Sequence, residues 1–403
     1  MQHADTATSG ATHPFDAPDT EVQVPTSTNQ IPIAFTGSGS EYFRIWIVNL
    51  LLMLVTLGLY FPWAKARRLR YFMGNTLVGG QPLGFHGDPK KMFKGYALVG
   101  ILFILYSIAG EFSSMAGLVA LVLVAGLWPA LFKSSMQFRL ANTSWRGLRF
   151  RFTGDLPSAY RAVLPLFLPG LVLVGGLAFV NDESAPPAWF GFLALGVMLT
   201  TLAITPWLMW NLKQYQHNHY GLASLQTSFR ATLGSFYKLQ LKISGVGLLA
   251  IVGTALLITL ATYAFADNVS ATLGRGGRAA VALGAMLGAF AGLLAMLVVI
   301  KPYATSRMQN LLWSRTGNAS VRFLSHLRFR SLLWLTIKNW LLVVITLGLY
   351  WPFAAVALAR MRLQAVTVKT RIDLDTLVSQ MRHNEGEAAG DAAGDLFGVD
   401  IGL

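Results

Sequence analysis

The sequence predicts an all-α polytopic membrane protein, and three observations carry that prediction. Hydrophobic residues make up 54% of the 403-residue chain and charged residues 12%. A soluble domain averages roughly 25% charged residues, so this chain lacks the polar surface to face water on all sides. Several uncharged apolar runs have the length, roughly 20 residues, that a helix needs to cross a bilayer. A pattern also recurs along the chain, and recurrence settles architecture before any local reading. Thr56-Leu57-Gly58-Leu59-Tyr60-Phe61-Pro62-Trp63-Ala64 returns as Thr346-Leu347-Gly348-Leu349-Tyr350-Trp351-Pro352-Phe353-Ala354.

Looser copies lie between these two. Each is an apolar run that ends at a proline (Pro129, Pro206, Pro302) and then turns basic. Downstream of the first three prolines comes Asn or His, a few β-prone residues and a phenylalanine. Asn75-Thr76 leads to Phe85-His86-Gly87-Asp88, and Asn142-Thr143 to Phe152-Thr153-Gly154-Asp155. His219-Tyr220 leads to a degraded Phe229-Arg230-Ala231-Thr232, and Phe35-Thr36-Gly37-Ser38 stands at the start. Five repeated units are expected, with short β-prone turns on the cytoplasmic face. Their structural residues are Gly37, Pro62, Gly87, Asp88, Pro129, Gly154, Asp155, Pro206, Pro302 and Pro352.

Residues 1–30 contain no Lys or Arg and no periodicity, which predicts a disordered tail. They have no basic n-region or apolar core, so no signal peptide is expected. A repeat-built transmembrane domain is expected over 31–372, opening on a short strand at 31–35. A flexible acidic tail is expected over 373–403. Apolar segments fall at about 43–61, 96–110, 115–132, 162–180, 188–210, 243–266, 279–300 and 339–359. That makes about eight membrane segments: six clear spans in three hairpins, and two outer single segments.

Charge sets the orientation. The stretches 62–94, 129–161, 206–242 and 301–338 hold 24 of the 32 basic residues against two acids, Asp88 and Asp155. Basic loops stay cytoplasmic, which puts the hairpin tips on the opposite side. Two readings fit the outer segments. Each spans, or each re-enters, since only 12 residues separate Asn49 from Pro62 and Asn339 from Pro352. Val366-Thr367-Val368 resembles the first half of a β-turn unit and 31–35 the second, and those halves pair only if both lie on one face.

The net charge of +14 is explained by these cytoplasmic loops, so no nucleic-acid partner is expected. Basic helices follow the prolines. Trp63, Lys65, Arg67, Arg68 and Arg70, with Lys133, Arg139, Lys213 and Arg307, are candidates for contact with anionic lipid headgroups, where each Lys or Arg gains roughly 1 kcal/mol. Ordinary topology anchoring accounts for the same residues.

Asp88-Pro89 reads as a helix start, against a metal shared by His86 and Asp88. His217 and His219 read as headgroup contacts or solvated side chains, against a metal pair. Gly284, Gly288 and Gly292 share one helix face, where small residues let backbones approach closely. The six middle segments carry no ionisable group away from their edges, which disfavours proton- or ion-coupled transport. Asn49, Asn339, Thr254, Thr259 and Tyr263 remain to line an uncharged path or to bond neighbouring helices. Cysteine is absent, and no Walker, nucleophile-elbow, zinc-protease or dinucleotide motif is present. No enzyme activity, metal or cofactor is expected.

The stretch from Phe35 to Phe43, Thr-Leu-Gly-Leu-Tyr-x-Pro-Trp-Ala-Lys at 56–65, and Arg70 to Thr76 followed by Phe85-His86-Gly87-Asp88 resemble the YjgN-like family of bacterial inner-membrane proteins. The likeness covers about residues 31–370. It implies a multipass inner-membrane location and supplies no site residues. Two function classes follow: a permease or channel-like protein for a small molecule or lipid, and a non-transporting adaptor or lipid-organising scaffold with a basic cytoplasmic face. Reporter fusions at Ser113, Asp182 and Asn268 are expected to read periplasmic, and fusions at Gly80, Gly147 and Gly317 cytoplasmic. A cytoplasmic signal at any of the first three overturns the charge argument.

Overall fold

The computed structural model of the chain describes residues 29–180, 187–273, 286, 298–371, 375–376 and 378–380. Strand β1 (Asn29–Phe35) leads into helix α1 (Gly39–Val55), which turns and comes back as α2 (Phe61–Gly74) to strand β2 (Thr76–Val78). The same path is followed by β3 (Gln81–Phe85), α3 (Pro89–Phe112), α4 (Ser114–Ala141) and β4 (Thr143–Trp145). Next come β5 (Leu148–Phe152), α5 (Leu156–Val163), α6 (Leu168–Leu177), α7 (Ala188–Asn218) and β6 (Tyr220–Leu222). The fourth path runs from β7 (Leu225–Gln226) and β8 (Ser228–Phe229) through α8 (Leu233–Leu273) and α9 (residues 298–314) to β9 (Thr316–Gly317). The fifth is β10 (Val321–Ser325), α10 (Phe329–Ile345), α11 (Trp351–Gln364) and β11 (Val366–Thr370).

The strands form one eleven-stranded sheet, in the order β7-β6-β5-β4-β3-β2-β1-β11-β10-β9-β8. This corrects the all-α class. Apart from the strand expected at 31–35, the strands are two to five residues long and set tightly around turns, and so they read from sequence as β-prone turns. Thr227 alone separates β7 from β8, the two ends of the order, and its N–H donates to the Tyr220 carbonyl at 2.8 Å. The sheet thus closes into a ring. The expected pairing of the chain's two ends is part of it, with Ile31 opposite Val368 and Pro32 opposite Thr367.

One register occurs at five places around the ring: Phe35 opposite Thr76, Phe85 opposite Thr143, Phe152 opposite Tyr220, Phe229 opposite Thr316, and Ser325 opposite Val366. At each, the next residue donates its N–H to the carbonyl just before the opposing strand, at 2.8–3.1 Å. Local chemistry explains the motif residues. A helix ends with unpaired carbonyls. Thr76, Thr143 and Thr316 donate their hydroxyls to the carbonyls four residues back, and Asn75 and Asn142 donate side-chain amides likewise. The glycines lie under phenylalanine rings. A Cβ on Gly87 would stand 2.5 Å from the Phe85 ring, and one on Gly154 would stand 2.6 Å from both Phe152 and the Tyr215 hydroxyl.

The hairpins differ in height. Among the described residues five helices have membrane-crossing length and apolarity, all between Pro89 and Thr254. Helices α1 and α10 have 17 residues each and α2 and α11 have 14, or about 25 Å and 21 Å at 1.5 Å per residue. The apolar stretches at 43–61 and 339–359 therefore do not form single long helices; each bends back at a turn before its proline. Pro62, Pro129, Pro206, Pro302 and Pro352 are all buried, each fourteen residues before the following strand. In α4 and α7 the helix continues above the proline by 15 and 18 residues. In α2 and α11 it starts there.

Of the expected N-terminal tail, residues 1–28 lie outside the described residues and Asn29 and Gln30 belong to β1. Gly284, Gly288 and Gly292 also lie outside them, as do the side chains of Thr259 and Tyr263. Gly154→Ala is expected to destabilise the protein by about 1–3 kcal/mol through overpacking. Thermal aggregation in detergent measures this against Gly100→Ala, whose Cβ would meet nothing within 4 Å.

Candidate functional site

Two places in the ring combine unusual geometry with exposed or unpaired groups. The first is the pair of short hairpins, α1–α2 and α10–α11. They are neighbours, because β1 pairs with β11 and α1 packs against α11. Their tips are built alike. Leu57 and Leu347 adopt left-handed φ values of 50° and 49°, each followed by a glycine at positive φ. Gly58 donates to the Met53 carbonyl and Gly348 to that of Val343, both at 2.8 Å, closing a Schellman cap. The Thr56 and Thr346 hydroxyls accept from the Tyr60 and Tyr350 amides at 3.0 and 2.9 Å. Every backbone N–H from Thr56 to Phe61 and from Thr346 to Trp351 thus has a partner. Leu57 and Leu347 are nevertheless 94% exposed. A leucine in the left-handed region costs roughly 1–2 kcal/mol, and here it holds an apolar side chain outward over a turn with no free donor.

Below each tip sits an asparagine. Asn49 and Asn339 are 5% and 8% exposed, and neither Oδ1 has a hydrogen-bond partner. The Asn339 amide lies 3.5 Å from the Ala354 carbonyl. The expectation that they bond neighbouring helices holds only for that long contact. Thr254, expected in the same role, donates to the Ala250 carbonyl of its own helix at 2.8 Å.

The second place is the hub of the ring. Trp145, Leu148, Ala223 and Val378 form one buried cluster, with Val78, Leu83, Phe150, Leu222, Leu225 and Val321 packed on it. These residues come from strand ends all around the sheet, so the hairpin tips converge on the centre. The tips also bond one another: the Trp145 indole donates to the Val78 carbonyl at 3.1 Å, and the Asn318 amide to that of Gln226 at 3.2 Å.

The predicted lipid-contact residues are spread over the basic helices, and several have internal partners. Arg70 donates to the Gly87 carbonyl at 3.2 Å, and Lys213 to Gln216 at 2.8 Å. Lys65 donates to the Tyr96 hydroxyl; burial, then the charge of Arg139, pushes its ammonium below the usual lysine range. Trp63 packs between Tyr60 and Phe93. Arg67, Arg68 and Arg307 lie over Tyr60, Phe72 and Tyr303 at 5.5–5.7 Å and are exposed, as is Arg139, while Lys133 is half-buried.

The histidines and acids singled out from the sequence have internal partners. The His86 ring meets the Ser144 hydroxyl at 2.8 Å, and Asp88 accepts from the Lys90 amide at 2.9 Å. Asp155 accepts from the Ser158 amide, and hydrogen bonding from Ser158 holds its carboxyl below the usual carboxylate range. His217, expected at headgroups or in solvent, is buried against Thr316 at 2.8 Å with Tyr220, Phe229 and Trp313 around it. Among the described residues no three His, Cys, Asp or Glu side chains stand close enough to hold a metal. Sequence reasoning missed the hub. The turn glycines Gly80 and Gly147 were its only visible signal, and nothing marked Val378.

The family described as bacterial protein of unknown function, DUF898, matches residues 30–396. The inner membrane protein YjgN of Salmonella typhimurium LT2 is 25% identical over 373 residues, covering 86% of this chain and 89% of that protein. The Escherichia coli K12 protein of the same name is 28% identical over 172 residues, 42% of this chain and 41% of its own length. No solved structure matches the chain.

Replacing either buried asparagine by leucine, which has the same branching, removes an acceptor whose burial costs about 1–3 kcal/mol. Asn49→Leu is expected to melt at or above the wild-type temperature in detergent. A drop of several degrees would mean that a bound donor meets Oδ1.

Proposed function

Given that the chain belongs to the DUF898 family of bacterial proteins and is a multipass protein of the inner membrane, we propose that it is a permease or channel-like protein for a lipid or small molecule. In this reading five repeated units surround a path. Three long hairpins cross the bilayer, two short ones re-enter it, and the strand ring lies on the cytoplasmic face.

The observation that carries the reading is the pair of adjacent short hairpins. A hydrocarbon core is about 30 Å thick. Helices of 24 to 31 residues such as α3, α4 and α7 reach about 36–46 Å, whereas the short pair stops near 25 Å. Unpaired backbone groups are costly at membrane depth, and the two tips pair every backbone N–H of their turns. Twenty uncharged residues (45–64) run through the first tip and 21 (339–359) through the second. The wall of hairpins is therefore low on one side. Lipid of the far leaflet reaches over it towards the interior, which favours lipid as the cargo. The exposed Arg67, Arg68, Arg139 and Arg307 give the cytoplasmic side an affinity for anionic headgroups.

The test is reconstitution into liposomes that contain fluorescent NBD-phosphatidylglycerol, with dithionite added outside. Without protein about half of the signal is protected. With protein the protected fraction is expected to fall, and osmotic swelling in glycerol reports the small-molecule arm. If neither probe crosses, the permease reading fails and the basic-faced adaptor takes its place.

A further inference from the structure

The hub contains one residue that belongs to no strand. Val378 is 6% exposed and sits in the cluster with Trp145, Leu148 and Ala223. It lies on a short helical piece, residues 375–376 and 378–380, within the part of the chain expected to be a flexible tail. Asp375 on the same piece accepts from the Arg146 guanidinium at 2.6 Å. Arg146 is the first turn residue of the β4–β5 hairpin, with φ at 52° and Gly147 after it at 84°. Its guanidinium also lies 5.5 Å from the Trp145 ring. One hairpin tip thus supplies both an apolar wall and a cation to the same short segment.

We infer that the apolar centre of the strand ring is a docking site for the chain's own C-terminal segment, and that this segment closes the ring. The hairpin tips leave their apolar ends facing one another across the centre, and Val378 fills the space between them. Its described contacts include one buried aliphatic side chain, Val378, and an ion pair whose acid is 84% exposed, and exposed ion pairs contribute little and weaken with salt. A contact of this kind holds a segment in place yet lets it leave when an anion or a protein surface competes for Arg146. The role as a closure rests on the permease reading, because it places the ring across the cytoplasmic end of the path; the docking does not rest on it.

The chain has no cysteine, so a single introduced thiol reports its own exposure. In the full-length protein Val378→Cys is expected to react with a bulky polar maleimide at least tenfold more slowly than Ser379→Cys, whose position is exposed. Arg146→Glu should raise the Val378→Cys rate several-fold, and adding Asp375→Lys should bring it down again. Equal rates at 378 and 379 would overturn the docking. Val378→Asp, which expels the segment without cutting the chain, is expected to raise flux of the phosphatidylglycerol or glycerol probe several-fold. Unchanged flux in Val378→Asp, with wild-type flux measurable, would overturn the closure while leaving the permease reading intact. No flux in either protein would count against that reading and the closure together, and the labelling contrast would still decide the docking.

Discussion

Strands of two to five residues, as most of these are, have no independent stability, and an exposed strand edge invites unwanted pairing. Closure of the sheet answers both problems. With Thr227 bridging β7 and β8, β1, β3 and β5 each give their first half to one neighbour and their second half to another. Gln81 and Pro82 face β2, for instance, while Leu83 to Phe85 face β4. Five helical hairpins then leave the ring and return to it. Arg360 of α11 reaches across the last junction to the Gly37 carbonyl at 2.8 Å, as Arg70 reaches Gly87 and Asn310 reaches Leu327 elsewhere. Hairpins of different height share the same ring, because the junction at their two ends has one register throughout.

The heights fall into two groups. The proline stands at the same distance from the strand in all five hairpins, so it marks a common depth. Three hairpins pass that depth and two turn back at it. The two turns solve their backbone bonding alike. Donors are paired within the turn, the threonine hydroxyl fills the gap that a missing helical partner leaves, and leucine takes a conformation in which glycine or asparagine is usual. The cationic residues below it are exposed yet lie against aromatic rings or a loop carbonyl. Positive charge on the basic helices therefore serves the joints between hairpins, as Arg70 and Arg360 do at loop carbonyls.

Much of this was legible from the residues. Apolar runs and their spacing gave the first two long hairpins but read the two short ones as single segments, and the Asn-Thr and Phe-x-Gly signatures gave the junctions. The likeness of Val366-Thr367-Val368 and 31–35 to two halves of one element gave the meeting of the chain's ends. What escaped detection had a physical reason in each case. The fifth junction, Ser325-His326-Leu327-Arg328, keeps the register with none of the motif residues, because backbone pairing does not depend on them. The sheet went unseen because, even where a strand alternates as Leu148 to Phe152 does, nothing local marks its pairing with a strand of the next hairpin. His217 looked solvated among polar neighbours in sequence, but its ring is covered by aromatics from Tyr220, Phe229 and Trp313. The hub brings together residues from strand ends and from position 378, a convergence that no local pattern encodes.

The pairing of β1 with β11 also bears on how the protein is made. Ile31 meets Val368, so the first strand to leave the ribosome waits for the last. At a synthesis rate of about 5–20 residues per second that interval is roughly 17–67 s. Throughout it β1 has β2 on one side and an open edge on the other, the state in which nascent chains are prone to mispair. A chaperone or the insertion machinery has this edge to shield. The C-terminal piece carrying Val378 emerges after β11, when every strand of the ring has already been made.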